Sequence, residues 1–313
     1  MTKFASDLPD FPDLLGATAK HTNLPDTVVE KDYFVVRALR ALCDQIQGQF
    51  VFKGGTSLSK GWNLLQRFSE DLDLLFRMKD DEGGQISRGE VDRRLEGAER
   101  IVASTPGFKF LGQTRSRGVR RCSDFEYPRI AKALVPISQK VRLEMGTRGG
   151  TQPCSKRTIR SYLTEFLEAT GRTGLAEDLV PFKTECLDVA RTALEKLFAV
   201  HAAFEKDRVK GCTRHYYDLF QSFGLKEVNT FLTSSEYARV YADVEGYSRE
   251  NWPEAALPPN GKFSNSRAFQ PNEEDLAVLR EHYKQERDLF FVEPPSMEEI
   301  LHKLKTTIGS LGL

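Results

Sequence analysis

Apolar positions in the first half of the chain alternate between helical spacing and short continuous runs, a pattern that predicts helices interleaved with strands. In order, the pattern predicts a helix over residues 25–47, a strand over Phe50–Lys53, a helix from residue 56 or 57, a strand over 72–76 and a helix over 87–104. Short apolar and aromatic runs at residues 108–111, 122–127, 130–137 and 141–145 predict further strands of the same sheet. The first half therefore predicts an α/β (α+β) core.

From residue 159 onward the apolar spacing becomes mostly helical. The clearest helix covers residues 187–204, and further helices are predicted over 216–223, 228–244, 274–290 and 296–311. Residues 251–272 are rich in Pro, Gly, Ser and Asn, which predicts a long loop or lid whose role the sequence leaves open. A chain of 313 residues exceeds the usual size of one core, so we predict a domain over 1–150 and a mainly helical domain over 151–313.

Composition narrows the class of protein. The 40% apolar content, without a long uncharged apolar stretch, predicts a soluble chain that neither spans a membrane nor is disordered. Five cysteines without a C-x-x-C pair predict a reduced protein lacking disulfides and zinc, and acidic residues near the N-terminus in place of an apolar signal favour the cytoplasm. The balance of 45 Lys plus Arg against 45 Asp plus Glu excludes indiscriminate charge-driven binding of nucleic acid but allows local basic clusters.

Two short motifs carry the candidate chemistry. Asp71 and Asp73 are two residues apart on a predicted strand, so their side chains share one face. Like charges this close favour a cation, and Mg²⁺ is commonly held by one or two carboxylates together with substrate phosphates. Gly54 and Gly55 precede a predicted helix, where backbone N–H groups can approach a phosphate, and Ser57 adds a hydroxyl. Together the motifs predict a triphosphate site beside a magnesium site.

A second metal ion would require a third carboxylate from a neighbouring strand. Glu144 alternates with apolar residues in the predicted strand at 141–145, and we prefer it because its surroundings are the more apolar. Asp124 and Glu126 are its competitors.

The order of these motifs resembles the nucleotidyltransferase superfamily of the DNA polymerase β type, and more narrowly the AbiEii/AbiGii toxin family, which includes the MenT toxins. The matching segments are EKDY at 30–33, FKGGTSLSK at 52–60, RFSEDLDL at 67–74, RTALEK at 191–196 and YDL at 217–219. The resemblance covers roughly residues 29–220. It implies a polymerase β-type core with a mixed sheet, followed by a mainly helical C-terminal region.

The resemblance also implies an activity, namely transfer of a nucleoside monophosphate from an NTP to an RNA acceptor, the 3′ end of tRNA, with release of pyrophosphate. Such an enzyme would be the toxin of a bacterial type IV-like toxin–antitoxin system that blocks translation and acts in phage defence, with an antitoxin encoded nearby. Carried over residue by residue, the metal ligands for two Mg²⁺ ions are Asp71 and Asp73, with Glu144 as the third carboxylate, and the nucleotide-binding residues are Gly54, Gly55, Thr56, Ser57, Ser69 and Lys196.

Lys196 and Asp218 form the family's distal pair, in which Lys196 would neutralise the triphosphate. His215 stands where many relatives have a carboxylate, and we expect it to be a structural or groove residue and not a general base. Lys31 and Asp32 either form internal salt bridges or contact the substrate.

Two local clusters of basic residues are candidates for contact with RNA. They are Arg115, Arg117, Arg120 and Arg121, and Lys156, Arg157 and Arg160. The alternative for these clusters is a solvated loop and an ordinary helix start. Two rival functions also stay open: transfer to a hydroxyl of a protein or small molecule, and non-catalytic binding of nucleotide or RNA on the same scaffold.

Overall fold

The computed structural model describes residues 2–79, 84–132, 137–251, 253 and 257–313, which form two compact units. The first unit comprises Met1–Asn63, Phe68–Thr147 and Cys154–Leu187, and the second comprises Leu64–Arg67, Arg148–Pro153 and Asp188–Leu313. Residues 154–187 thus pack with the first unit, whereas the sequence boundary at 150 assigned them to the helical domain.

A mixed sheet of seven strands forms the centre of the first unit. The strands are β1 (Phe50–Lys53), β2 (Asp71–Phe76), β3 (Lys109–Ser116), β4 (Arg120–Glu126), β5 (Lys140–Gly146), β6 (Cys154–Ile159) and β7 (Phe182–Leu187). Their spatial order is β3-β4-β5-β2-β1-β7-β6. The pairs β2 with β5 and β1 with β7 are parallel, and the other neighbours are antiparallel. The predicted α/β core with a mixed sheet is therefore confirmed.

Helices of the first unit pack on the sheet and on one another. They are α1 (Phe11–Thr22), α2 (Asp26–Ile46), α3 (Gly54–Lys60), α4 (Arg88–Ser104) and α5 (Tyr162–Ala169). Helices α2 and α4 pack against β4 and β5, where alternate residues such as Phe125, Val141 and Leu143 are fully buried. Each such side chain contributes roughly 1.5–3 kcal/mol of hydrophobic stabilisation. The opposite face of β2, β4 and β5 carries polar residues that are half-buried or exposed.

The second unit is helical. Its helices are α6 (Val189–Glu205), α7 (Thr213–Ser222), α8 (Lys226–Leu232), α9 (Ser235–Asn251), α10 (Glu273–Gln285) and α11 (Met297–Ser310). Side chains of Asp188, Asn272 and Ser296 cap α6, α10 and α11 by accepting bonds from backbone N–H groups. In the predicted loop at 251–272, residues 252 and 254–256 lie outside the described residues, and Phe263 and Phe269 anchor the rest in the apolar interior.

Several predicted elements differ from those observed. Strands β6 and β7 and helices α1 and α5 were missed; β6 reads CSKRTI, whose polar residues lack an apolar alternation. Helix α3 begins at Gly54, two or three residues before the predicted start, and ends at Lys60. The helix predicted over 228–244 is broken at residues 233–234 into α8 and α9. Of the strand predicted at 130–137, residues 133–136 lie outside the described residues, and 130–132 are not in a strand.

Within the described part of the chain, no helix combines the length and apolarity needed to cross a bilayer.

Candidate active site

The two aspartates of the D-x-D motif lie on one face of the sheet at the start of β2. In the sheet register, Asp73 pairs with Lys53 on β1 and with Glu144 on β5, and Asp71 pairs with Arg142 on β5. Cross-strand partners share a face, so these charged side chains form one surface patch on the polar side of the sheet. The sheet therefore brings Asp71, Asp73 and Glu144 to one neighbourhood.

The glycine turn lies directly against Asp73. A Cβ atom added to Gly54 would lie 2.1 Å from Oδ2 of Asp73, and Gly54 has a φ of +76°, which side-chain-bearing residues rarely adopt. Both the backbone conformation and the close approach of the carboxylate therefore require glycine here. The two sequence motifs form one contact in space, with the carboxylate of Asp73 against the first residue of α3.

Hydroxyl groups join α3 to the start of β2. Thr56 is buried, and its hydroxyl donates to the carbonyl oxygen of Asp71 at 2.5 Å and lies 3.0 Å from Oγ of Ser69. Ser57 is only 2% exposed and lies beside Cys186, whose thiol pKa burial raises to about 12. Thr56 and Ser69 thus belong to the same neighbourhood as the aspartates.

The electrostatics around Asp71 favour a cation. Burial raises the pKa of Asp71, the charges of Glu70 and Glu144 raise it further, and Arg142 and Lys31 act in the opposite direction. Three carboxylates in one half-buried neighbourhood repel one another, and a divalent ion would relieve that repulsion. The donor set consists of hard carboxylate oxygens, which suits Mg²⁺.

Protein side chains alone do not form a metal site with three ligands in the described residues. Among residues 2–79, 84–132, 137–251, 253 and 257–313, no three His, Cys, Asp or Glu side chains converge as a metal site would require. Glu144 instead lies 3.5 Å from the guanidinium of Arg120. The fit is to a metal held by two carboxylates and completed by substrate phosphates, the usual arrangement for Mg²⁺.

Asp124, a competitor for the third carboxylate, is engaged elsewhere. Its carboxylate accepts hydrogen bonds from Arg142 at 2.9 Å and from Lys140 at 2.7 Å. Hydrogen bonding to Arg142, and then to Lys140, lowers the pKa of Asp124 to about 2. The other competitor, Glu126, lies 3.6 Å from Lys109 at the far end of β4. Neither carboxylate is the register neighbour of Asp73, a position that Glu144 occupies.

In the second unit, Lys196 and Asp218 form the predicted pair. Asp218 is fully buried, and Arg67 donates to both of its oxygens, at 2.8 and 2.7 Å. Nζ of Lys196 lies 3.0 Å from the same carboxylate and 3.1 Å from Nδ1 of His215. Sequence reasoning assigned Arg67 no role, because its partner lies 151 residues away.

The charges of Arg67, Lys196, His215 and Asp218 depend on one another. Burial alone would raise the pKa of Asp218, but the charges of Arg67 and Lys196 outweigh it and hold the pKa below its usual range. The charge of Lys196, together with burial, lowers the pKa of His215 to about 3. At neutral pH, His215 is therefore an uncharged ring that accepts a hydrogen bond from Lys196.

Only part of the first basic cluster, residues 115, 117, 120 and 121, is exposed. Arg121 lies on the inward face of β4, is 3% exposed, and donates to both oxygens of Glu99 on α4 at 3.0 and 3.1 Å. Its assignment to an RNA-contacting surface is wrong, because successive residues of a strand point to opposite faces. Arg115, Arg117 and Arg120 are exposed on the β3–β4 hairpin.

The second basic cluster lies mainly on a strand and not at a helix start. Lys156 and Arg157 belong to β6, an edge strand of the sheet. The guanidinium carbon of Arg157 lies 3.5 Å from the ring centroid of Trp62, and Arg160 pairs with Glu168 at 2.9 Å. The stacked Arg157 and Trp62 combine the charge and the aromatic surface that single-stranded nucleic acid can use. Lys156 is exposed and points to the opposite face of β6.

Paired aspartates on a mixed sheet, packed against a glycine turn, are the features that the sequence motifs share with nucleotidyltransferases, and the family match places the chain in that class. A solved structure of similar fold is MenT4, a nucleotidyltransferase toxin from Mycobacterium tuberculosis, with 20% sequence identity, a TM-score of 0.55, and coverage of 95% of this chain and 89% of that one. No curated protein matches the chain by sequence.

Residues 37–304 match the family model of the nucleotidyl transferase AbiEii toxin of type IV toxin–antitoxin systems. The chain belongs to this family, and it is a nucleotidyltransferase toxin of such a system. The resemblance drawn from the motifs is confirmed, and the match extends well beyond residue 220. Membership of an enzyme family also argues against a non-catalytic scaffold.

Proposed function

We propose that this toxin transfers a nucleoside monophosphate from an NTP to the 3′ end of tRNA, releases pyrophosphate, and requires Mg²⁺ for the reaction. The observation that carries the proposal is the contact between Gly54 and Asp73 beside Asp71. It joins a turn whose backbone can approach a phosphate to the carboxylates that would hold the metal.

Asp71 and Asp73 would bind the metal, and Glu144 is the neighbour available to a second ion. When bound, Mg²⁺ would supply charge neutralisation of the triphosphate and of the leaving pyrophosphate. The half-buried aspartates would fix the reacting phosphate beside Gly54, and Thr56 would keep Asp71 in place through its carbonyl. Positioning and electrostatics would supply most of the rate enhancement, as in other phosphoryl transfers.

The remaining nucleotide contacts are proposed residue by residue from the family motifs. Backbone groups of Gly54 and Gly55, with the hydroxyls of Ser57 and Ser69, are proposed to bind the outer phosphates. Lys196 is proposed to neutralise triphosphate charge. Asp218 would act through Lys196, since its fully buried carboxylate holds the lysine ammonium at 3.0 Å.

The acceptor is proposed to be RNA because exposed basic residues are available on the first unit. Arg115, Arg117 and Arg120 on the β3–β4 hairpin, and Lys156 on β6, offer local positive charge in a chain whose formal net charge is zero. Blocked translation, a role in phage defence and a cognate antitoxin encoded nearby follow as parts of the same proposal.

The test is incubation of the protein with each labelled NTP, Mg²⁺ and total tRNA. We expect label on tRNA, none after chelation with EDTA, and a loss of at least about 100-fold in Asp71→Asn. Asp124→Asn is the matched control, because it neutralises a carboxylate on the same face of the sheet that is held by Arg142 and Lys140. Equal transfer by Asp71→Asn and wild type would disprove the site.

The same experiment separates the acceptor classes. Label in protein bands or on an added hydroxylated small molecule, with none on tRNA, would overturn the RNA acceptor and keep the nucleotidyl transfer. Label on tRNA that survives removal of its 3′-terminal nucleotides would overturn the proposed end specificity.

A further inference from the structure

Three consecutive charged residues of α2 are buried in the first unit. Glu30, Lys31 and Asp32 are 0%, 1% and 2% exposed, in the N-terminal part of a helix whose other buried residues are mostly apolar. Burying a charge costs several kcal/mol unless partners compensate for it. Each of the three side chains has its own partner on a different segment: Glu30 accepts the backbone N–H groups of residues 130 and 131, Lys31 pairs with Glu70, and Asp32 pairs with Lys60.

Lys31 is paired with the residue that immediately precedes the first aspartate. Its ammonium forms an ion pair with Glu70, whose side chain is 32% exposed, whereas that of Lys31 is 1% exposed. The charge of Lys31 also acts on Asp71. The start of β2, where the D-x-D motif begins, is thereby tied to α2.

Asp32 holds the helix that begins with the glycine turn. One of its carboxylate oxygens lies 2.5 Å from Nζ of Lys60, the last residue of α3, and the other accepts the backbone N–H of Tyr162 at 2.7 Å. The ammonium of Lys60 also lies 3.3 Å from the centroid of the Tyr162 ring. Helix α3 has seven residues, so fixing Lys60 constrains the position of Gly54 at its other end.

We propose that Lys31 and Asp32 are positioning residues that set the placement of the two halves of the site from one rigid helix. Lys31 acts through Glu70 on Asp71, and Asp32 acts through Lys60 on the Gly54-Gly55 turn. This inference rests on the proposed nucleotidyl transfer at these aspartates. The alternative is that both ion pairs only stabilise the fold. In that case every variant would reduce activity in proportion to the fraction of protein that is folded.

Loss of the Lys31–Glu70 pair and loss of the Asp32–Lys60 pair should cause different kinetic defects. Lys31→Met and Glu70→Gln should raise the Mg²⁺ concentration for half-maximal activity by about 10-fold, with the KM for NTP nearly unchanged, since loss of a partner behind a metal ligand has effects of this size. Asp32→Asn should instead raise the KM for NTP by about 10-fold, because it displaces the phosphate-binding turn.

Arg37→Met is the matched control. Arg37 is a buried cation on the same helix, but its partners are the Oγ atom of Ser6 at 3.0 Å, the carbonyl oxygen of Pro106 and the carboxylate of Asp178 at 4.0 Å, none of which belongs to either site segment. It should lower the melting temperature and leave both kinetic constants of the folded protein unchanged. If Lys31→Met does not fold, Glu70→Gln tests the same ion pair at its partly exposed partner.

A measurement independent of turnover completes the test. Mg²⁺ alone should raise the melting temperature of wild type and Arg37→Met, and a higher concentration should be needed for the same rise in Glu70→Gln. If Glu70→Gln and Asp32→Asn show the kinetic constants and Mg²⁺ response of Arg37→Met, the positioning inference is wrong and the proposed function stands. Absence of transfer by the wild type overturns the proposed function, and the inference with it.

Discussion

At position 54, a hydrogen atom in place of a methyl group decides whether the carboxylate of Asp73 can lie against the turn. The sequence predicted both motifs, since each is a local pattern within residues 50–76. It also predicted that the two sites lie side by side, but not the direct contact of Gly54 with Asp73, because that contact depends on the antiparallel register of β1 and β2. The partner of Arg67 was equally hidden, since nothing near residue 67 indicates a carboxylate at 218.

Gly54→Ala should therefore abolish most of the activity. The added Cβ would displace the Asp73 carboxylate, and we expect a loss of about 100-fold in kcat/KM, as for other misplacements of about 1 Å. Gly48→Ala is the control, because Gly48 also has a positive φ, +96°, but its added Cβ meets nothing within 4 Å. It should lose roughly 1–2 kcal/mol of stability and keep its rate. Similar activity losses in both variants would show that backbone strain alone is responsible.

His215 should make stability depend on pH. Its pKa in the folded protein, about 3, lies below its ordinary value of 6.5, so between these values the unfolded chain binds a proton that the folded chain does not. The free energy of unfolding should then fall as the pH decreases through this window, by about 1.4 kcal/mol per pH unit from this group. Denaturant unfolding of wild type and His215→Gln from pH 7 to 4 measures it. Parallel curves would mean that His215 is not the source.

At the scale of elements, long periodic segments were predicted and short or polar ones were not. The helix at 25–47 and the helix at 87–104 match α2 and α4 closely, because their apolar stripes extend over several turns. Strand β6 was missed because it lies at a sheet edge and has little apolar surface to bury. Side chains of β4 alternate between the two faces of the sheet, which explains why Arg120 is exposed and its neighbour Arg121 is buried.

These neighbours provide a matched test of RNA contact. Arg120→Ala should weaken tRNA binding and reduce the slope of log affinity against log salt by about one, as expected for loss of one phosphate contact. Arg121→Ala should leave that slope unchanged and destabilise the fold by about 3–5 kcal/mol, because it leaves Glu99 without its partner guanidinium. Filter binding across a salt series, with thermal melts, measures both. An unchanged slope in Arg120→Ala would remove the hairpin from the RNA surface.

At the scale of the whole chain, the neutral charge sum does not show that some charges are buried in ion pairs and others are exposed. Buried ion pairs account for part of the balance, as in Arg67 with Asp218 and Lys60 with Asp32. Composition excluded indiscriminate nucleic-acid binding, but it could not show which charges are internal. That distinction required the fold, because each of these pairs joins residues far apart in sequence.

The interleaving of the two units has a consequence for inheritance. Leu64–Arg67 and Arg148–Pro153 belong to the second unit, although the chain on either side of each belongs to the first. A single crossover between two related genes would therefore divide at least one unit. A crossover near residue 150 would take β1 to β5 from one parent and β6 and β7 from the other, so β1 and β7, which are neighbours in the sheet, would no longer share an origin. We expect natural relatives to diversify by substitution and loop insertion within an inherited whole, and not by exchange of one unit for another.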